Sequence, residues 1–320
     1  MSQQRESWTK WALAEGVGKS ISASALKHAG ANVGHPIVGG LAGAVLIEVI
    51  RFFLSGAALV ARKESWRITR REAVLGVFYA TVSLSADTAK LVGFTDPSAQ
   101  VGAATFLVLT SIVPGAILDW LFFGDRLNIR QLVGISLFLF AGWCFLDRPS
   151  LDYFASPPLW VKINLALAVA LAINEATMRS IGAKESSSPF ATSFWLSIYG
   201  LTGLAIIVPL ASTIADVPVA SVLNRNAVAA FFVSGLAVFS YTIFRRLAYR
   251  DNARLVYKKL IMLATYLFGA SLIGSMLYGE PFTVSKVLGG LLFVPAYVLT
   301  SNRFSAELRA AWFQRQASAS

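Results

Sequence analysis

The segment GDRLNIRQLVGISLFL at Gly124–Leu139 recurs 155 positions later, at Gly279–Val294, as GEPFTVSKVLGGLLFV. The offset aligns Gly124 with Gly279, Asp125 with Glu280, Gly134 with Gly289, Leu137 with Leu292 and Phe138 with Phe293. It also aligns Lys90 with Arg245, Asp96 with Asp251 and Thr110 with Thr265. In each copy an apolar run precedes the glycine–acid pair and another follows it. A chain that writes one unit twice has to build two copies of one architecture, and a site that both copies serve lies where they face each other.

The unit is a membrane unit. The chain is 56% hydrophobic and only 14% charged, with a mean hydropathy of +0.62, whereas soluble chains carry about 25% charged residues. Ten apolar spans are expected, at 11–33, 40–61, 72–93, 98–123, 129–147, 160–181, 189–212, 226–246, 253–278 and 284–302. Several approach the roughly 20 residues a helix needs to cross a hydrocarbon core. The expected fold is an all-α membrane protein of ten transmembrane helices in two five-helix repeats. Five is odd, so the second repeat enters the membrane inverted. The first repeat occupies 1–147, a proline-bearing external linker 148–158, the second repeat 159–302 and a cytoplasmic tail 303–320.

A net charge of +11 would suit a nucleic-acid partner, but its distribution speaks for the bilayer instead. Eighteen Lys and Arg residues fall on the side of the expected topology that holds both termini, against four (Arg148, Lys162, Arg225 and Lys286) on the other. That bias places both termini in the cytoplasm. The polar start MSQQRESWTK leads into the first span, with no trusted cleavage site behind it. A lone Cys144 forbids an internal disulfide, and two histidines with one cysteine make an ordinary metal site improbable.

Eleven ionisable residues fall inside the spans: Glu15, Lys19, Lys27, Glu48, Arg51, Asp87, Lys90, Asp119, Glu175, Lys258 and Lys259. Facing lipid, they would together cost about 30 kcal/mol at 2.5–3.5 kcal/mol each, so most must face the bundle interior, water or an interface. Glu15–Lys19 and Glu175–Arg179 are four apart, and Glu48–Arg51 and Asp87–Lys90 three apart, which puts each pair on one helix face. Such pairs either neutralise each other for insertion or serve a site. Lys258 and Lys259 have no acid within four positions in their span. They either snorkel to the cytoplasmic surface or clamp an anion together with Arg245 and Lys19. Pro114 and Gly269 coincide under the 155 offset and mark candidate hinges. Asp119 beside Trp120 reads as an interfacial carboxylate, and Tyr241, Tyr257 and Tyr266 as packing, interface or stacking residues.

These features together resemble the drug/metabolite transporter superfamily, and its EamA-like members in particular. Two five-span halves, each with a glycine–acid turn and a glycine-bearing last helix, cover nearly the whole chain, and RFFLSGAALVARK at Arg51–Lys63 is similar to that family's second span. LAYRDNARLVYKK at Leu247–Lys259 resembles the ninth span of nucleotide-sugar and triose-phosphate translocators. That resemblance implies substrate-phosphate contacts for Lys258 and Lys259. It also departs, since span four has no lysine where a second phosphate contact is expected and Val108 or a neighbour stands there.

The leading expectation is a secondary transporter, without cofactor or metal, moving a small organic anion by alternating access. It would work as a monomer or homodimer in a bacterial inner membrane. Its substrate-binding residues would be Lys258, Lys259, Lys19, Glu15, Arg51, Asp87, Lys90 and Tyr241, with Glu48 and Glu175 for coupling or charge balance. An exporter of amino acids or amphipathic drugs is the alternative. A membrane-embedded enzyme or scaffold is the alternative of another class, for which no catalytic triad, nucleotide loop or metal spacing is present.

Overall fold

The structure, a computed structural model, describes residues 8–96, 98–145, 157–184 and 187–300. Its helices are α1 (Trp8–Gly30), α2 (Pro36–Arg62), α3 (Arg70–Phe94), α4 (Val101–Leu109), α5 (Ile112–Phe123) and α6 (Ile129–Phe145), followed by α7 (Leu159–Lys184), α8 (Pro189–Ala215), α9 (Arg225–Arg250), α10 (Leu255–Tyr278) and α11 (Val284–Thr300). Among the described residues there is no β-structure beyond an isolated antiparallel bridge between Val33 and Leu223. Of the expected linker only 157 and 158 are described, and the expected tail lies outside the described residues.

Local chemistry sets many of the boundaries. The Thr69 hydroxyl accepts from the Glu72 amide at 3.1 Å to start α3, and the Asn224 side chain accepts from Ala227 at 2.8 Å to start α9. His35 does the same for α2 through Nδ1, with Pro36 in the first turn. Gly124 and Gly279, the glycines of the repeated motif, end α5 and α10 in the left-handed conformation at φ 69° and 64°. The acid after each donates its amide back to a carbonyl six residues earlier, Asp125 to Asp119 and Glu280 to Gly274, both at 3.2 Å. Only glycine takes that conformation without strain, so the motif recurs because the same turn is made twice.

The expected fourth span is two helices. Pro114 has no amide hydrogen to offer the Thr110 carbonyl, which accepts instead from Val113 at 3.0 Å, and the chain kinks between Leu109 and Ile112. Its repeat counterpart behaves otherwise. α10 runs unbroken through Gly269, because glycine lowers helix propensity but removes no hydrogen bond. The expected hinge at Gly269 is therefore not a break.

With α4 and α5 counted as one rod, a helical rod answers to each of the ten expected spans. Six are long and apolar enough to cross a membrane: α2, α4–α5, α7, α8, α9 and α10. α6 and α11 are shorter apolar helices. α1 and α3 are of sufficient length but more polar, with Lys10, Glu15, Lys19 and Lys27 in one and Arg70, Arg71, Glu72, Asp87 and Lys90 in the other. The outer surface is apolar, as a membrane protein requires, with Phe122 72%, Ile214 77%, Met276 76% and Val284 75% exposed. Arg245 and Arg246 lie inside α9 and are buried.

Two pairs of helices at equivalent positions of the sequence repeat, α2 with α8 and α6 with α11, pack side by side and antiparallel. Ser55 of α2 donates to Ser193 of α8 at 2.9 Å, and Glu48, two turns earlier in α2, lies against Gly200, two turns later in α8. In the α6–α11 pair, Arg130 reaches the Val298 carbonyl and Ser285 the Cys144 carbonyl, each at 2.8 Å. Between them Phe138 and Phe293, repeat equivalents, meet with ring centres 4.7 Å apart. One continuous apolar core runs through α1, α4, α5, α7, α9 and α10 and encloses the charged residues described next.

A candidate site of buried charges between helices

Glu15 is fully buried on α1 and Glu175 is 2% exposed on α7, and three cations from three helices converge on them. Lys258 of α10 places Nζ 2.6 Å from Glu15 Oε2 and 2.6 Å from Glu175 Oε2. Arg245 of α9 places Nε 2.9 Å from Glu15 Oε1 and 3.2 Å from Glu175 Oε1. Lys19 of α1 lies 3.0 Å from Glu15 Oε1 and 3.3 Å from Glu175 Oε1. Tyr249 donates its hydroxyl to Glu175 Oε2 at 2.6 Å, and Arg245 also donates to the Tyr79 hydroxyl of α3. Five helices thus meet in one network of three cations and two carboxylates. Away from water each carboxylate is tolerable only because several donors share it.

A small cavity of ≈ 50 Å³ opens beside this network. Lys19, Asp87, Lys90, Asn174, Tyr241, Arg245 and Tyr266 line it. Lys90 donates to the Tyr266 hydroxyl at 2.6 Å. Asn174 is 1% exposed and its Oδ1 has no hydrogen-bond partner. Asp87 has no hydrogen bond and no cation within 4.0 Å among the described residues. The space suits a few waters at 10–15 Å³ each, well short of the roughly 300 Å³ at which solute sites begin. The arrangement is a small polar chamber with more positive than negative charge in its wall.

Several sequence expectations are corrected by this geometry. Lys258 is no unpaired clamp, since its acids come from other helices. Lys259, 1% exposed, donates to the carbonyl and hydroxyl of Ser111 at 3.1 Å each and so docks on the kink between α4 and α5. Glu175 does not pair with Arg179, which instead bridges Asp119 at 2.5 Å and Asp125 at 2.7 Å. Asp119 is 2% exposed and, besides Arg179, accepts from the Val256 amide at 3.1 Å. Asp87 and Lys90 share a face but not an ion pair, because Lys90 turns to Tyr266. Glu48 and Arg51 do pair, at 2.6 Å within α2, and stand apart from the central network. Tyr241 lies in the chamber wall with Arg245 above its ring at 5.3 Å.

Sequence reasoning missed Tyr79, Tyr249 and Asn174. Tyr249 follows Arg245 by one helical turn, so it sits where a polar residue on the same stripe could have been noticed, whereas Asn174, next to Glu175 and about 100° round the helix, gave no such signal. Among the described residues no three His, Cys, Asp or Glu gather in a metal-binding arrangement.

Among known proteins, no family model matches the chain and no curated protein matches it. Among solved structures, one described as "Crystal structure of protein" is similar in fold, with a TM-score of 0.66 over 93% of this chain and 97% of that one, at 17% identity.

Proposed function

We propose that the chain is a secondary transporter that moves a small organic anion across a membrane by alternating access, with ten spans arranged as two inverted repeats of the drug/metabolite transporter type. The carrying observation is the buried network in which Lys19, Arg245 and Lys258 outnumber Glu15 and Glu175 beside a small polar chamber. A surplus cation in a low-dielectric wall favours an anion as its missing partner. The antiparallel packing of repeat-equivalent helices supports the inverted arrangement, as does the contact between Phe138 and Phe293. The acids hold the cations while the chamber is empty, and an entering anion takes over part of that role at Lys19, Lys90 and Arg245. A chamber of ≈ 50 Å³ holds no organic solute, so admission requires the helices to part at one end. In this reading both termini face the cytoplasm of a bacterial inner membrane.

Reconstitution into vesicles tests the proposal. Wild-type protein should move small mono- or dianionic metabolites, and Lys90→Ala should lower uptake about tenfold or more, as loss of a charge-assisted contact implies. Uptake that ignores Lys90→Ala and Lys19→Ala would refute the anion site. A second reading is favoured by the carboxylate of Asp87 in the chamber wall and by the Asn174 Oδ1 atom beside it, a buried acceptor without a partner. They suit a solute that also carries an ammonium group, as an exporter of amino acids would require. Competition by zwitterions, lost in Asp87→Asn, separates the two.

A further inference from the structure

Two helix starts in this bundle lack a cap of their own. α4 begins after Gln100 and α10 after Arg254, and neither side chain accepts from the first turn. Each helix is capped instead by a carboxylate from the far end of the other. Glu280, just past α10, accepts from the Val101 amide of α4 at 2.9 Å, and Asp119, near the end of α5, accepts from the Val256 amide of α10 at 3.1 Å. Val101 and Val256 are 155 apart, as are Asp125 and Glu280.

Each carboxylate group is also held by a cation from the first helix of a repeat. Lys27 of α1 lies 2.5 Å from Glu280, and Arg179 of α7 bridges Asp119 and Asp125. The two knots sit at opposite ends of α10, whose 24 residues span about 36 Å. The charged chamber lies between them.

From this geometry we infer that the knots are paired ionic gates. Lys27–Glu280–Val101 gates one end of the chamber and Arg179–Asp119/Asp125–Val256 the other, and both knots are formed in this structure. The inference rests on the transporter reading. Breaking one knot costs a helix cap and an ion pair together, so each end has two discrete states. The ends are unequal. The Arg179 knot has two carboxylates and a second arginine, Arg254, 3.7 Å from Asp125, whereas the other has a single carboxylate. The Glu280 end is therefore the one that opens more often at rest.

A thiol-accessibility experiment in sealed vesicles tests this. Ser83 of the chamber wall is changed to Cys in a Cys144→Ser background, and a membrane-impermeant thiol reagent is added from either face. Glu280→Gln should raise labelling at least about fivefold from the Glu280 face only, in line with a coupling of 1 kcal/mol or more. Asp119→Asn with Asp125→Asn should do so from the opposite face only. Should these variants misfold, a short bifunctional thiol cross-linker across Lys27→Cys and Glu280→Cys should block labelling from the Glu280 face and leave the other intact.

Labelling unchanged by the variants or the cross-link, or raised equally from both faces, would overturn the gates. If wild-type protein moves no anion while labelling still obeys the two knots, the transporter reading fails and the gates stand.

Discussion

Two sets of buried charges in this bundle solve the same problem by different means. Glu48 and Arg51 neutralise each other three residues apart on α2. Glu15 and Lys19 also pair within α1, but Glu175, Arg245 and Lys258 find their partners only after α1, α7, α9 and α10 have come together. The first pair can form in an isolated helix, so it lowers the cost of placing that helix in an apolar medium and specifies nothing about neighbours. The second network exists only in the assembled bundle, so its residues stabilise one helix arrangement over its competitors. Distance in sequence separates a pair that aids insertion from a network that selects architecture.

Mutations should expose the difference, most strongly at Glu175. Glu175→Leu leaves Lys19, Arg245 and Lys258 sharing Glu15 and takes the acceptor from the Tyr249 hydroxyl, and a loss of about 3–5 kcal/mol is expected for a broken buried network, seen as failure to give a monodisperse peak in mild detergent. Glu48→Leu alone strands Arg51 and should cost about 3 kcal/mol, but Glu48→Leu with Arg51→Leu should return to within about 1 kcal/mol of wild type, since an ion pair replaced whole by apolar groups is close to neutral. No such recovery is expected from Glu15→Leu with Lys258→Leu, which leaves two cations, Lys19 and Arg245, on the single carboxylate of Glu175. Equal recovery in both double variants, read from thermal unfolding in detergent, would erase the distinction.

Lys258→Met ranks next, because two cations then face two carboxylates; a loss of about 1.5–3 kcal/mol is expected for a charge-assisted hydrogen bond. Lys259→Met should be mildest, within about 1 kcal/mol, because Lys259 bonds only the neutral Ser111 and an apolar side chain suits its surroundings. Its effect should appear in transport rate, if Lys259 steadies the kink.

The same difference decides what was legible beforehand. The apolar runs and the repeated glycine–acid turn gave a helical rod at each expected span, and the break near Pro114 followed from a missing amide hydrogen. The Glu48–Arg51 pair was readable because both ends lie on one helix. Glu175–Arg179 has equally good spacing, yet each residue found a better partner on another helix, and Lys90 left Asp87 for Tyr266. Spacing fixes which faces side chains share, while the neighbour across the interface decides which contact forms. The cap that Asp119 lends to α10 could not be read at all, since it depends on two helix ends meeting.

The central network also sets a timetable for biogenesis. Glu15 lies 243 residues ahead of Lys258. At 5–20 residues per second of synthesis, the first helix therefore waits roughly 10–50 s for its last counter-ion. Lys19, one turn away, is the only basic neighbour available to it meanwhile. α1 would accordingly enter the bundle late, as the closing piece of a scaffold raised by its more apolar successors.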